Sequence, residues 1–221
     1  MNEILQFLQE LETNNQRDWF EANRSRYEQT RKNFLDLTAW WIDEIRKFDA
    51  EIPKLQAKDC MFRIFRDVRF SNDKRPFKSN YGSYIVREGR KSGFAGYYIH
   101  LQPKGCFVAG GNYMPSAEQL QAIRQEIYYH PGSYLELLNG EPFRSFFDQH
   151  YYDSLKTAPK GYPKEWEHIE LIKNRSYGFG HNLSEKEVLA DDFPKKVVEY
   201  FKIVQPMNHF LNRAVDENFG V

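Results

Sequence analysis

The sequence predicts an α+β fold, an antiparallel sheet of four to five strands packed by a long N-terminal helix and several C-terminal helices. From Ile4 to Phe48, rings and aliphatic side chains recur at helical spacing. From Met61 to Ala109 the period changes to short runs rich in rings and β-branched residues, separated by Gly, Pro, Asn and Lys. Helical spacing then returns. Helices, strands and helices in successive blocks point to one α+β domain over residues 1–221, with its core at about 5–214.

The elements follow in order. Ile4, Leu5, Leu8 and Leu11 give a short opening helix, and Thr13-Asn14-Asn15 reads as a break and an N-cap. Phe20, Tyr27, Phe34, Trp41 and Phe48, with Leu37, Ile42 and Ile45, predict one long helix from about Gln16 to Phe48 with a single buried stripe, ended by Ile52-Pro53. Met61–Phe70, Tyr81–Arg87, Tyr97–Gln102 and Gly105–Ala109 read as strands, with Pro103-Lys104-Gly105 as a tight turn. Ser116 and Gln119 have capping-box spacing ahead of Leu120, Ile123 and Ile127. Short helices are expected at Tyr134–Leu138, Phe143–Phe147 and Glu165–Lys173, a loop at Ala158–Pro163, and a fifth strand at Ser176–Leu183. Phe193–Val204 and Met207–Val215 read as helical, split or kinked at Pro206.

Composition narrows the function. Hydrophobic residues make up 41% and aromatics 16%, enough for a real core. Lys plus Arg number 31 and Asp plus Glu number 31, so the whole chain is no general polyanion binder. The balance is uneven, however. Lys58 to Lys91 carries ten cations and four anions, an excess of about +6 that the rest of the chain offsets. Cys60 and Cys106 form no disulfide framework or CxxC metal motif. The opening MNEILQFLQELETNN does not read as a signal peptide, and no run approaches the roughly 20 apolar residues of a membrane span. A cytoplasmic protein with no cofactor and no membrane partner is the expectation; its oligomeric state is not legible.

The positive charge centres on FRIFRDVRFSNDKRPFKSNYGSY, Phe62 to Tyr84, with six cations, two carboxylates and six rings. As a strand it would carry Phe62, Ile64, Arg66, Val68 and Phe70 on one face, and Arg63, Phe65, Asp67, Arg69 and Ser71 on the other. Arg66 in an apolar row then needs a carboxylate or an anionic ligand. Arg63 and Arg69 can bracket Asp67, and the loop after Phe70 can bring Asp73, Lys74 and Lys78 alongside. Guanidinium forks hold phosphate or carboxylate in two bonds, and lysine adds point charge.

A second candidate is Trp19, Asn23 and Tyr27, four apart and so on one helical face that could line a cleft. Pro159-Lys160-Gly161-Tyr162 is a rigid turn presenting a lysine. Gly105 and Gly110-Gly111 mimic a phosphate-loop spacing, but Asn112 and Tyr113 follow where Lys and Ser or Thr are required. Histidines 100, 130, 150, 168, 181 and 209 lack metal-ligand spacing. Asp148-Gln149-His150 reads as a solvated loop and His100 as a core or hydrogen-bonded strand residue. His181, flanked by glycines, is the one a ligand could approach closely.

The segments NNQRDWFEANRSRY, FRIFRDVRFSNDKRPFKSN, GYYIHLQ, APKGY and PMNHFLN together resemble a family of conserved hypothetical proteins, domain of unknown function 2461. The resemblance runs from about Leu5 to Ala214. Its most specific part is Arg63, Arg66, Asp67, Arg69, Phe70, Ser71, Asp73, Lys74, Pro76 and Lys78. Phe77 stands where the family more often has tyrosine. The resemblance implies a single-domain, mainly prokaryotic, soluble protein, and no reaction.

The leading expectation is a site for a small, phosphorylated anion built from Arg63, Arg66, Arg69, Lys74 and Lys78, with Asp67 orienting the arginines. A rival is an enzyme acting on a phosphorylated or acidic small molecule, with Asp67 or Asp73 as base. A third is a nucleic-acid or protein interaction module, suggested by rings between cations; overall neutrality argues against nucleic acid as the partner.

Overall fold

The computed structural model describes residues 1–69, 72–151 and 153–219. Helix α1 (Asn2–Thr13) leads to α2 (Arg17–Ala22), α3 (Arg24–Ile45) and the single turn α4 (Ala57–Cys60). Strands β1 (Tyr81–Ile85), β2 (Gly96–Leu101) and β3 (Phe107–Asn112) follow, then α5 (Ala117–Tyr129), α6 (Pro131–Asn139) and α7 (Phe143–Phe146). The remaining elements are β4 (Gln149–Tyr151), α8 (Ile169–Ile172), β5 (Tyr177–Asn182), α9 (Glu185–Leu189) and α10 (Phe193–Phe219). The five strands form an antiparallel sheet in the order β1-β2-β3-β5-β4, so the fold is α+β. None of the described helices is long and apolar enough to cross a membrane.

The chain packs as two compact units, the first being Met1–Ile85, Tyr98–Val108 and Asn182–Val198. Its core follows from helical and strand periods meeting. Phe7, Leu8 and Leu11 of α1 and Phe34, Trp41 and Ile45 of α3 are buried, as are Tyr81 and Ile85 of β1. Hydroxyls under α3 are paired across the core: Thr30 with Tyr81 at 3.0 Å and Thr38 with Ser83 at 2.9 Å. The Trp41 indole N–H donates to the Pro194 carbonyl at 3.0 Å. Paired in this way, these polar groups escape the penalty of burial without a partner.

The second unit is Val86–Tyr97, Ala109–His181 and the chain from Glu199 onward. Two asparagines four apart on α10 hold the backbone of β3 and of the chain entering β2. Asn208 accepts from the Gly111 N–H at 2.7 Å and donates to the Gly96 carbonyl at 3.1 Å. Asn212 accepts from the Ala95 N–H at 2.7 Å and donates to the Ala95 carbonyl at 3.2 Å. Arg87 pairs with Asp216 at 2.5 Å and lies 3.9 Å from the Phe94 ring centroid.

Several sequence expectations change. The predicted long helix is two, interrupted at Asn23, and α3 ends at Ile45. Asn15 caps nothing, because its side chain bonds both backbone groups of Phe77. Met61–Phe70 is not a strand: among the described residues it makes only isolated bridges, Met61 to Ser83 and Phe65 to Phe77. Phe70 and Ser71, which were to end it, lie outside the described residues. Helix α10 runs unbroken through Pro206. The helix expected at Glu165–Lys173 shrinks to α8, and the Gln149–Tyr151 strand falls where a solvated loop was read. The Ser116–Gln119 capping box forms in full. The Pro103-Lys104-Gly105 turn also forms, closed by Gly105 N–H to Gln102 O at 3.0 Å, with Lys104 at φ +59°.

Candidate functional site

The basic segment is shaped by one local unit used twice. In Asp67-Val68-Arg69 and again in Asp73-Lys74-Arg75, the Asp carboxylate accepts the backbone N–H of the Arg two residues on, at 3.3 and 3.0 Å. The same Arg then closes a fork on that carboxylate: Arg69 on Asp67 at 2.9 and 2.6 Å, Arg75 on Asp73 at 3.0 and 2.7 Å. A carboxylate that captures a backbone N–H offers the chain an alternative to a strand ladder, which is why this stretch turns instead of extending.

Arg66 finds the carboxylate its position requires. Its Nη1 lies 2.9 Å from Asp73 Oδ2, and its Nε donates to the Phe77 carbonyl at 3.0 Å. Lys74 donates to the Val68 carbonyl at 3.1 Å. Arg63 is exposed and acts on Asp67 through its charge. Lys78 places its ammonium 5.8 Å from the Phe62 ring centroid. Hydrogen bonds from the Arg69 side chain and backbone hold the Asp67 carboxyl below its usual range. Those from Arg75, with the Arg66 charge, hold Asp73 well below it. Both are stable anions at neutral pH and therefore poor proton acceptors.

Trp19, Asn23 and Tyr27 sit beside this segment, but not on one helix. Trp19 is in α2, Asn23 is the junction and Tyr27 is in α3. The Asn23 amide donates to the Trp19 carbonyl at 2.9 Å and accepts from Arg26 at 3.0 Å. Trp19 and Tyr27 both flank the buried Phe7 ring, at 6.1 and 6.2 Å between centroids. Phe20 joins the two candidates, 4.9 Å from Tyr27 and stacked at 4.0 Å on Phe77. The Asn15 bonds to Phe77 tie the same turn to the basic segment.

The sequence reading missed a third component. On β2, Tyr97, Ile99 and Leu101 are buried, while Tyr98, His100 and the following Gln102 lie half-buried on the opposite face. They form a chain: Tyr98 Oη to His100 Nδ1 at 2.8 Å, His100 Nε2 to Gln102 Oε1 at 3.0 Å. Gln102 Oε1 can only accept, so Nε2 carries the hydrogen, Nδ1 is the acceptor, and Tyr98 is the donor. Phe107 of β3 stacks on His100 at 4.6 Å. Phe62 meets Tyr98 edge-on at 6.1 Å, which brings this face to the ring that Lys78 overlies. Burial lowers the basicity of His100; the Gln102 bond opposes this and the Lys78 charge adds to it. Gly82 of β1 makes room for the phenol, since a Cβ there would stand 2.6 Å from Tyr98 Oη. Tyr98-x-His100-x-Gln102 has strand spacing, a signal the sequence offered when these residues are read as one set.

The other flagged groups lie outside this segment. Pro159 to Tyr162 is a turn with Gly161 at φ +93° and an exposed Lys160. The Phe146 ring covers His181 at 3.8 Å, and the Phe146 carbonyl lies 2.8 Å from its Nδ1. Cys60 and Cys106 are buried thiols, and burial raises the Cys106 pKa. Among the described residues, no group of three or more His, Cys, Asp or Glu side chains is placed to hold a metal ion.

A family model described as conserved hypothetical protein (DUF2461) matches residues 3–210. No curated protein and no solved structure matches the chain.

Proposed function

We propose, for a chain that belongs to the conserved hypothetical protein family DUF2461, that it binds a small ligand carrying a phosphate or carboxylate group at the basic segment from Arg63 to Lys78. One observation carries the reading. Six cations share this segment with two carboxylates, and each carboxylate is already forked by the arginine two residues on. The segment still carries four more cations than carboxylates, with the Lys78 ammonium beside the Phe62 ring, a charge excess from which a small anion gains charge-assisted bonds. Overall neutrality favours a small ligand over a nucleic acid, whose binding would draw on a broad basic surface and weaken steeply with salt.

Thermal melting against inorganic phosphate, sulfate, sugar phosphates, nucleotides and dicarboxylates, at fixed ionic strength, tests it. A ligand at about 100 times its Kd adds about 2.7 kcal/mol, or roughly 5–10 °C for a chain of this size. Lys78→Met should weaken that ligand about tenfold, the loss of one charge-assisted contact of about 1.5 kcal/mol. No shift from any anion, or shifts that Lys78→Met leaves untouched, would remove the proposal.

A further inference from the structure

We infer that Tyr98, His100 and Gln102 form a general-base relay, in which Tyr98 accepts a proton from a hydroxyl of the bound molecule while passing its own to His100. The inference borrows from the anion-binding reading only its substrate class, a small hydroxylated anion such as a sugar phosphate or hydroxy acid.

The geometry sets the direction of the relay. Tyr98 gives its proton to Nδ1 across 2.8 Å, so its oxygen can only accept further hydrogen bonds. It therefore selects a donor, a hydroxyl, from the ligand. The neutral imidazole is fixed in the receiving tautomer by the 3.0 Å bond to Gln102 and by the stacked Phe107 ring. This is the arrangement of reacting oxygen, base and orienting group that activates a weak acid. The protons balance: the ligand O–H bond breaks, a new Tyr98 O–H forms, and the former phenolic proton completes an imidazolium on His100. The negative charge left on the ligand oxygen develops beside the ring that the Lys78 ammonium overlies. Gly82 lets the Tyr98 phenol lie against β1, where a Cβ would stand 2.6 Å from Oη. Gln102 is a positioning residue.

The relay is tested by its reverse demand, an electrophile that only an activated phenol attacks. The probe is meta-carboxybenzenesulfonyl fluoride, with benzenesulfonyl fluoride as its uncharged analogue and peptide mass spectrometry as the readout. The Tyr98 O–S bond forms, the S–F bond breaks, fluoride leaves, and the phenolic proton goes to His100. Tyr98 should react at least tenfold faster than Tyr113 and Tyr129, although those are 63% and 65% exposed. His100→Gln should remove that advantage while the chain remains folded. In the wild type the rate should rise as His100 becomes neutral. The charged and titratable groups known to act on His100 are Lys78 and Tyr98. Burial, with a smaller contribution from Lys78, keeps the midpoint low, and Gln102→Leu, by removing the acceptor that favours imidazolium, should move it lower still. Labelling of Tyr98 no faster than of Tyr113 and Tyr129, or a rate indifferent to His100→Gln and to pH in the histidine range, overturns the relay. The charged probe separates the two proposals. If Tyr98 reacts fast and through His100 but the carboxylate adds nothing over the uncharged analogue, the anion reading fails and the relay stands. If the carboxylate speeds delivery through Lys78 but labelling ignores His100, the anion reading stands and the relay fails.

Discussion

Asn208→Leu is expected to destabilise the protein by about 3–5 kcal/mol, because two buried backbone groups lose their partner at once and each stranded group costs about 1–3 kcal/mol. Asn208 is 1% exposed and holds the Gly111 N–H and the Gly96 carbonyl. Leucine has a similar volume, so the loss reports the amide and not a cavity. Chemical denaturation should show the midpoint falling with little change in slope, and heating should show a drop of roughly 10 °C. A loss under about 1 kcal/mol would mean that water or a shifted strand satisfies both groups, and the anchoring role of α10 would be wrong.

Gly111→Ala is expected to cost at least about 4 kcal/mol, as backbone strain and a hard clash add. Gly111 has φ +90°, and a Cβ there would stand 2.0 Å from the Tyr177 carbonyl oxygen, a backbone atom of the neighbouring strand. Gly89 isolates the first contribution, with φ +88° and nothing within 4 Å of a built Cβ. Gly89→Ala should therefore cost only about 1 kcal/mol. Equal losses at the two positions would show that strain alone decides, and that β5 yields to the added methyl.

The features legible in the sequence were those written in short-range spacing. The Ser116–Gln119 box depends on three residues of separation, and the structure closes both of its bonds. Phe34 and Trp41, seven residues apart on α3, are buried as that spacing predicts. The basic segment misled because its ring and β-branched content favours a strand. Its Asp67 and Asp73 side chains instead take the Arg69 and Arg75 N–H groups. Asp-x-Arg twice in nine residues was the visible sign of that. Pro206 misled in the opposite sense. A proline disfavours helix interior, yet Asn208 and Asn212 just beyond it are held to the backbone of Gly96, Gly111 and Ala95, and those bonds fix the helix where propensity alone would break it.

The candidate site was half legible. A charge count located Arg63, Arg66, Arg69, Lys74 and Lys78, and placed Asp67 and Asp73 among them. The Arg66–Asp73 pair was not legible, because it depends on how an irregular loop folds back. The partnership of Trp19, Asn23 and Tyr27 with this segment runs through Phe20 stacked on Phe77, a contact between distant parts of the chain. Tyr98, His100 and Gln102 were each visible and each bland; only the strand period joins them.

The most direct test of anion binding at the basic segment is a nuclear magnetic resonance titration of the labelled protein with inorganic phosphate against chloride at equal ionic strength. The expected result is a saturable set of shifts confined to Arg63–Lys78 and the adjoining Tyr98–Gln102 face, abolished in Lys78→Met. Shifts that spread evenly over the surface, or that chloride reproduces, would contradict a built anion site and leave the Asp–Arg forks as loop scaffolding.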